Sequence, residues 1–302
     1  MTAGRKYTKE RCSLFLILSA VIISFNFSTR LSALTREGLA LCFNSVIGSV
    51  FPFMILGDLL SSKVELNDSS SLTKAFRKLF GINENAIPAF ILGQICGFPI
   101  GAKLARDQFI AGRISRDELE RLIGFSNNAS PAFIIAGIGA SMRGCRSDGI
   151  VLYIIMVISS IITGIIFGIG RSPKNSAKEA QKYSFSLTTS VRDASLNTVN
   201  ICGFITLFSI ISGLFTEYLK FPFPVIFLEI TSAANLLSEY RVAFPVRSLV
   251  LTAFAISFSG ICVHLQVKSI LGKEISLKRY YLAKIISGVI SMLLALIYIK
   301  LK

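Results

Sequence analysis

The 302-residue chain is apolar and basic, with 52% hydrophobic residues, no tryptophan, a mean hydropathy of +0.65 and a net charge of +15. This composition is typical of an integral membrane protein and argues against a soluble enzyme. The Lys and Arg residues are spread over short connecting segments rather than gathered in one domain, so nucleic acid is not expected as a partner.

Seven hydrophobic segments are long enough to cross a bilayer, which takes about 17 to 25 apolar residues in a helix. Two others, 87–105 and 221–239, are interrupted by Gly, Pro or a charge, and we interpret them as re-entrant hairpins of two half-helices. The predicted fold is all-α, a transmembrane bundle of about seven spanning helices plus two hairpins. The seven segments are 12–27, 38–60, 122–142, 149–170, 194–215, 248–271 and 282–299.

The first of these segments has the order of a signal peptide, because the basic stretch 1–11 precedes the apolar stretch 12–27. A small-residue cleavage site does not follow it, since the next residues are Asn26-Phe27-Ser28-Thr29-Arg30. We therefore expect residues 1–35 to form an uncleaved N-terminal transmembrane helix.

The two halves of the chain resemble each other. Residues 36–60 resemble residues 192–216 at a constant offset of 156, which places Asn44 opposite Asn200 and Gly57 opposite Gly213. Repetition in the same order predicts an internal duplication. The predicted organisation is a first repeat at 36–170, a cytoplasmic linker at 171–191 and a second repeat at 192–302.

The distribution of basic residues predicts the topology. With a cytoplasmic N-terminus, 23 of the 32 Lys and Arg residues fall on the cytoplasmic side, as the positive-inside rule expects. The first repeat then starts outside and the second inside, so the two repeats are inverted about the membrane plane. One hairpin would enter from each side, which is the usual plan of alternating-access carriers.

Residues 87–133 are the most informative stretch. An apolar run breaks at Gly97-Phe98-Pro99, and a polar sequence, Ser126-Asn127-Asn128-Ala129-Ser130-Pro131, lies inside the next hydrophobic segment. An unsatisfied peptide group costs several kcal/mol in hydrocarbon, so broken helices are tolerated only where they line a protein-enclosed cavity. We therefore expect these breaks to form part of a binding site, the alternative being helix–helix hydrogen bonding beside a simple proline kink.

Three ionisable residues are further candidates. Glu229 is a carboxylate well inside a hydrophobic segment, where a functional role is the default expectation; the alternative is a permanently protonated glutamate that bonds a neighbouring helix. Lys103 could supply positive potential for an anionic substrate, or it could be an interfacial anchor. His264, the only histidine, could relay protons or serve as a structural donor.

The cysteines and the short sequence motifs argue against other classes of site. Cys12, Cys42, Cys96, Cys145, Cys202 and Cys262 show neither paired nor metal-like spacing, so we expect no disulfide framework, no metal site and no cofactor. The chain also has no acid pair, nucleophile elbow or phosphate loop, and we do not expect an enzyme.

The sequence GQICGFPIGAKLARDQFIAGRISRDELERLIGFSNNASP resembles integral membrane proteins of the YlbJ (SpoVV) sporulation type. These belong to the nucleoside-recognition, or Gate, superfamily, which is distantly akin to concentrative nucleoside transporters. The resemblance covers about residues 36–290 and is sharpest at 97–103, 126–131, 228–232, 257–260 and 263–266. It implies translocation of dipicolinate across the outer forespore membrane during sporulation.

In the nucleoside carriers the hairpin tips read Gly-Gln-Thr-Glu and Asn-Glu-Phe. Here Gly93-Gln94 keeps the first half of the first tip, Ile95-Cys96 replaces Thr-Glu, and Glu229 matches the second-hairpin glutamate. The loss of one acid argues against recognition of ribose hydroxyls and makes the site less repulsive to an anion. The substrate-binding residues that we predict are Gln94, Gly97, Lys103, Ser126, Asn127, Asn128, Ser130, Glu229, Thr231, Ser232 and Ser259.

The sequence therefore predicts a permease for a small anionic metabolite, with dipicolinate as the best candidate. We place it in a bacterial cytoplasmic or outer forespore membrane. Two alternatives stay open: a nucleoside or nucleobase carrier of the same fold, and a non-transporting gating or assembly subunit of a membrane complex. The expected partners are the substrate and the lipid bilayer; a coupling ion, a second copy of the chain and a sporulation membrane protein are further candidates.

Overall fold

The computed structural model describes residues 28–63, 70–173, 185–218 and 224–302. Within these ranges the chain is helical, with short connections and no β-strand. The predicted N-terminal helix at 12–27 and much of the predicted linker at 171–191 lie outside the described residues.

Eight helices form the first half of the described chain. A π-helical turn, Cys42–Val46, joins the first two into one long element, and the seventh has π-helical hydrogen bonding along its length. Their bounds are α1 Ser28–Leu41, α2 Ile47–Lys63, α3 Ser71–Phe80, α4 Ile87–Ile95, α5 Ile100–Ile110, α6 Arg116–Ser126, α7 Ala132–Met142 and α8 Arg146–Gly168.

The second half repeats the order of elements seen in the first. Each half has a long helix (α1–α2 or α9), a pair of short helices (α4–α5, named the first hairpin, or α10–α11, named the second hairpin), an interrupted helix (α6–α7, with the first break, or α12–α13, with the second break) and a closing long helix (α8 or α14). Helix α3 has no counterpart in the described second half. The bounds in the second half are α9 Leu187–Tyr218, α10 Val225–Leu228, α11 Ile230–Glu239, α12 Pro245–Phe258, α13 Gly260–Leu271 and α14 Lys278–Leu301.

Four stretches of the described residues are long and apolar enough to cross a membrane. The third contains the break between α12 and α13. Two shorter apolar helices, Val50–Leu59 and Ala132–Met142, fall within predicted spans. The prediction of an all-helical fold is thus confirmed for the described residues, and these four stretches agree with the prediction of membrane-spanning helices, whereas the predicted count of seven spans is not confirmed. The four stretches are Arg146–Gly168, Leu187–Glu217, Pro245–Leu271 and Lys278–Leu301.

Local sequence explains where the helices break. Helix α6 starts at a capping box, in which Ser115 accepts from the Glu118 backbone and Glu118 accepts from the Ser115 backbone. It ends at Ser126, and the chain resumes as α7 only after Pro131, since a proline disfavours helical geometry in the residue before it. The break between α12 and α13 instead uses two left-handed residues, Ser259 (φ 76°) and Gly260 (φ 74°).

The breaks lie in the interior because the closing helices pack around them. Helix α14 packs on α6, α8 and α12, and α4 and α5 pack on each other and on α6. Four phenylalanines from α3, α4 and α6 form an aromatic cluster beside the first break, with Phe80 and Phe125 stacked at a centroid distance of 5.0 Å. The interrupted segments are therefore enclosed by protein, as the cost of bare peptide groups in an apolar medium requires.

Candidate functional site

A cavity of about 410 Å³ lies where the interrupted helices meet. This volume falls within the range of small-molecule sites, about 300 to 1,000 Å³. Most of its lining is apolar. The lining residues are Leu41, Val46, Val50, Cys96, Gly97, Phe98, Ser130, Ala132, Phe133, Ala136, Gly137, Ser141, Ile201, Ile205, Glu229, Ile230, Thr231, Cys262, Val263 and Gln266.

Four helices begin at or next to this cavity: α5, α7, α11 and α13. A helix N-terminus carries roughly half a positive charge and unpaired backbone N–H groups. Helices α5 and α13 have no side-chain cap, whereas Ser130 Oγ accepts from the Phe133 N–H in α7 and Glu229 caps α11. The cavity thus receives positive potential from the backbone although no Lys or Arg of the described chain lines it.

Glu229 sits between α10 and α11 with extended backbone geometry and is 2% exposed. One carboxylate oxygen accepts from the Thr231 N–H at 2.8 Å, and the other accepts from the Ser232 N–H at 2.7 Å. These bonds fix the carboxylate on its own helix N-terminus, which stabilises negative charge. Both of these hydrogen bonds join Glu229 to its own helix, whereas the structural alternative requires a bond to a neighbouring helix.

The second break contacts the second hairpin directly. A Cβ built on Gly260 would lie 3.0 Å from the Leu228 carbonyl oxygen and 3.2 Å from the Glu229 nitrogen. The left-handed conformation and this close approach both favour glycine at position 260. The backbone around Glu229 is therefore positioned by the break between α12 and α13.

The first hairpin is held to the first break by two amide side chains. Asn128 Nδ2 donates to Gln94 Oε1 at 3.0 Å and to the Phe125 carbonyl at 2.8 Å. Gln94 Nε2 donates to the same Phe125 carbonyl and to Ser160 Oγ, both at 3.0 Å. Gln94 and Asn128 are buried and do not line the cavity. They position its wall rather than face its interior.

Glycines allow the hairpin to approach this closely. A Cβ on Gly93 or Gly101 would overlap the Ser126 carbonyl oxygen, and a Cβ on Gly97 would lie 2.9 Å from both the Cβ and the nitrogen of Ser130. Gly97 also has φ 86°, which disfavours a side chain for a separate reason. Backbone-to-backbone packing therefore fixes the position of the first hairpin.

Lys103 does not line the cavity, contrary to the role that we predicted for it. Its ammonium group pairs with Asp58 and, at 3.0 Å, with Asp107. Asp58 is only 2% exposed, so Glu229 is not alone as a deeply buried carboxylate. The buried ion pairs tie α2 to α5, and they satisfy the lysine without a substrate.

The structure separates the predicted site residues into two groups. Gly97, Ser130, Glu229 and Thr231 line the cavity, and Ser232 supports Glu229. Ser259 lies at the second break, where its hydroxyl donates to the Ile256 carbonyl at 3.3 Å. The predicted residues that are buried outside the cavity lining are Gln94, Lys103, Ser126, Asn127, Asn128 and Ser259.

Sequence reasoning missed Lys284, which falls at the start of the predicted span 282–299 but was counted only among the 23 cytoplasmic basic residues. The residue is 0% exposed within α14. Its ammonium group donates to the Asn127 carbonyl and, at 3.0 Å, to Asn128 Oδ1. The signal was available, because a lone lysine inside an apolar helix is an intramembrane charge for which a function is the default expectation.

A group of buried serines was also missed. Ser159 of α8 contacts Ser287 and Ser291 of α14 at 3.1 and 2.8 Å, and Ser257 of α12 contacts Ser291 at 2.6 Å. Single serines in membrane helices are common at close helix contacts, so none was distinctive in the sequence. Together they join the long helices behind the breaks.

Comparison of the chain with models of known families, with curated proteins and with solved structures finds no match. The class of the protein therefore rests on its own features. Its described residues are helical, with helices long and apolar enough to cross a membrane, and four helix N-termini lie around a mostly apolar cavity.

Asn128→Leu should destabilise the protein by breaking the hydrogen bonds that position the cavity wall. The change leaves Gln94 Oε1 without its donor and Lys284 Nζ without one of its two acceptors. Unsatisfied buried groups cost about 1–3 kcal/mol each, so we expect a large fall in the thermal midpoint of the purified protein. Asn200→Leu is the matched control, since Asn200 is exposed in α9; equal midpoints for the two variants would contradict the positioning role of Asn128.

Proposed function

We propose that this chain is a membrane permease for a small anionic ring compound, with dipicolinate as the leading candidate. The observation that carries the proposal is the cavity of about 410 Å³ at the meeting point of four helix N-termini. In secondary transporters, discontinuous helices form the substrate site, and their positive ends point at anionic groups of the substrate. Membrane-spanning helices around such a cavity are what a permease requires.

The lining suits a planar ring with polar ends. Phe98 and Phe133 offer aromatic surface, and Val46, Val50 and Ile205 add aliphatic contacts. The polar groups are few, and three of them, Ser130, Glu229 and Thr231, lie next to helix starts. The lining polar side chains are Ser130, Ser141, Glu229, Thr231 and Gln266. A mostly apolar site with a few placed polar groups is the usual composition of a small-ligand pocket.

The positive potential that favours an anion in the cavity comes from helix N-termini rather than from a basic side chain. The N-termini of α5 and α13 have no side-chain cap, and helix starts bind carboxylate and phosphate groups through their N–H groups. Lys103, which the sequence suggested for this role, forms ion pairs with Asp58 and Asp107 instead. The resemblance to sporulation proteins of the YlbJ (SpoVV) type supports dipicolinate as the compound to test first.

A nucleoside or nucleobase is the second candidate, and one observation favours it. The cavity has a carboxylate, Glu229, but no Lys or Arg among the described lining residues. A carboxylate repels an anion and can accept hydrogen bonds from a hydroxyl or a base N–H. Gln266, whose side chain donates to Cys262 Sγ at 3.3 Å, adds an amide oxygen on the same wall.

Uptake by the purified protein in liposomes tests both candidates. Labelled dipicolinate and labelled uridine should be compared in counterflow, with the unlabelled compound trapped inside, so that no driving ion is needed. We expect labelled dipicolinate to enter protein-containing vesicles several-fold faster than empty ones. Uptake of uridine alone would favour the second candidate. Uptake of neither compound, restored by a copurified membrane protein, would favour a subunit of a larger complex.

A further inference from the structure

Lys284 is a fully buried cation without a carboxylate partner among the described residues. Its side chain is 0% exposed, and its hydrogen bonds go to two oxygens, the Asn127 carbonyl and Asn128 Oδ1. By contrast, Lys103, the other buried lysine of the described chain, pairs with two aspartates. Moving an ammonium group from water into a protein interior costs several kcal/mol, which dipoles alone offset only in part. A purely structural donor would not need a charge at this place.

The two acceptors of Lys284 belong to the break between α6 and α7. Asn128 accepts from Lys284 through Oδ1 and donates through Nδ2 to Gln94 of the first hairpin. Ser130 and Ala132, a few residues beyond Asn128, line the cavity, as do Cys96 and Gly97, which follow Gln94. Hydrogen bonds therefore connect Lys284 with Asn128 and Gln94, and the backbone continues from these two residues to two walls of the cavity.

We propose that Lys284 is the proton-binding residue that couples transport to a proton gradient. This inference rests on the proposed transport function. When Lys284 is protonated, its ammonium group has three N–H donors and holds both acceptors of the first break by hydrogen bonds. When the amine releases its proton, the N–H···O attraction weakens and the ion–dipole contribution is lost. The first break and the first hairpin are then free to rearrange around the cavity, so that proton binding and substrate binding affect each other.

The ionisable surroundings of Lys284 are sparse. On α13, the His264 ring contacts the rings of Tyr280 and Tyr281 at centroid distances of 5.1 and 5.4 Å. Helices α8 and α12 present serines to the next turns of α14. The carboxylates on the packed helices have partners elsewhere: on α6, Asp117 pairs with Arg121 and Arg279, Glu118 accepts from the Ser115 and Asn83 N–H groups, and Glu120 pairs with Arg116. On α8, Asp148 pairs with Arg143 and Arg241. The basic residues there include Arg146 at the start of α8 and Arg247 of α12, which lies over the Phe244 ring.

The test separates coupling from transport by two assays on the same proteoliposomes. Counterflow of labelled dipicolinate, or of uridine if that is the compound moved, reports transport without a gradient. The second assay measures accumulation of the labelled compound in the lumen. It is driven by a medium that is one pH unit more acidic than the lumen, with the membrane potential clamped. With the membrane potential held at zero, one proton moved with each substrate molecule gives an accumulation of about tenfold for the wild-type protein.

In Lys284→Gln the side chain can still donate hydrogen bonds but cannot carry a proton. Its accumulation ratio should fall from about tenfold to about one while counterflow remains measurable. Lys284→Arg, which keeps its charge permanently, should also lose accumulation. The control is Lys278→Gln, which removes the same charge from an exposed position of the same helix and should accumulate as the wild type does.

Two results would overturn the inference: tenfold accumulation by Lys284→Gln, or wild-type accumulation that ignores the pH gradient despite active counterflow. The second result needs no variant, so it decides the matter even if substitutions at Lys284 prevent folding. Absence of wild-type counterflow would contradict the transport proposal itself rather than the role of Lys284.

Discussion

Gly93→Ala should destabilise the protein by about 3 kcal/mol, a large effect for a single methyl group. The added Cβ would overlap the Ser126 carbonyl oxygen and lie 2.9 Å from the Gly101 Cα. Both neighbours are backbone atoms, which cannot rotate away as a side chain can. Relief requires the first hairpin to move off the break between α6 and α7. That movement would also break the Gln94–Asn128 hydrogen bond and deform the cavity wall.

The matched control for this change is Gly203→Ala in α9. A Cβ built there meets nothing within 4 Å, and alanine is favoured over glycine in a helix by up to about 1 kcal/mol. Thermal unfolding of the purified variants in detergent should lower the midpoint for Gly93→Ala and leave it equal or raised for Gly203→Ala. Gly101→Ala should behave like Gly93→Ala, because its Cβ meets the same carbonyl. A wild-type midpoint for Gly93→Ala would show that the hairpin packs elsewhere.

The positions of the helix breaks could be predicted from the sequence because their causes are local. Gly97 and Pro99 end one helix and start another, and Pro131 restricts the residue before it. The carboxylate at Glu229 was distinctive for the same reason, since an acid within an apolar segment needs no tertiary information to be noticed. These signals lie in the parts of the chain that surround the cavity.

The partners of the polar residues could not be predicted, because they depend on distant parts of the chain. Lys103 pairs with Asp58 at a separation of 45 residues, and Lys284 reaches Asn127 at a separation of 157. From sequence alone, either lysine could equally be a loop charge or a ligand. Only the packing of α14 on α6 shows that Lys284 lies inside the bundle.

The distinction between lining and supporting residues also required the structure. Asn128 and Ser130 are two residues apart in the same break, yet Ser130 lines the cavity and Asn128 lies behind it. Without helical or strand periodicity, an irregular segment gives no rule for which side chain faces inward. The sequence therefore identified the break as a unit and could not divide its residues by role.

Glu229→Gln should affect stability and substrate affinity separately. Both carboxylate oxygens accept backbone N–H groups, from Thr231 and Ser232. An amide has one oxygen, so its NH2 group would face one of these donors. Because Glu and Gln have the same size, packing alone would leave the stability unchanged, but the loss of one charge-assisted hydrogen bond costs about 1.5–3 kcal/mol. The thermal midpoint should fall, and Glu239→Gln, which removes the same charge from an exposed position of the same helix, should leave it unchanged.

The direction of the change in affinity then reports the charge of the substrate. Glu229 is the carboxylate of the cavity lining, and removing it relieves repulsion of an anion. Two charges about 5 Å apart interact by about 3 kcal/mol at an effective dielectric constant of 20, so the KM for dipicolinate should fall by about tenfold or more. For uridine the same variant loses a hydrogen-bond acceptor, and its KM should rise. KM values that match wild type for both compounds, measured beside Glu239→Gln, would remove Glu229 from the substrate site and leave it as the cap of α11.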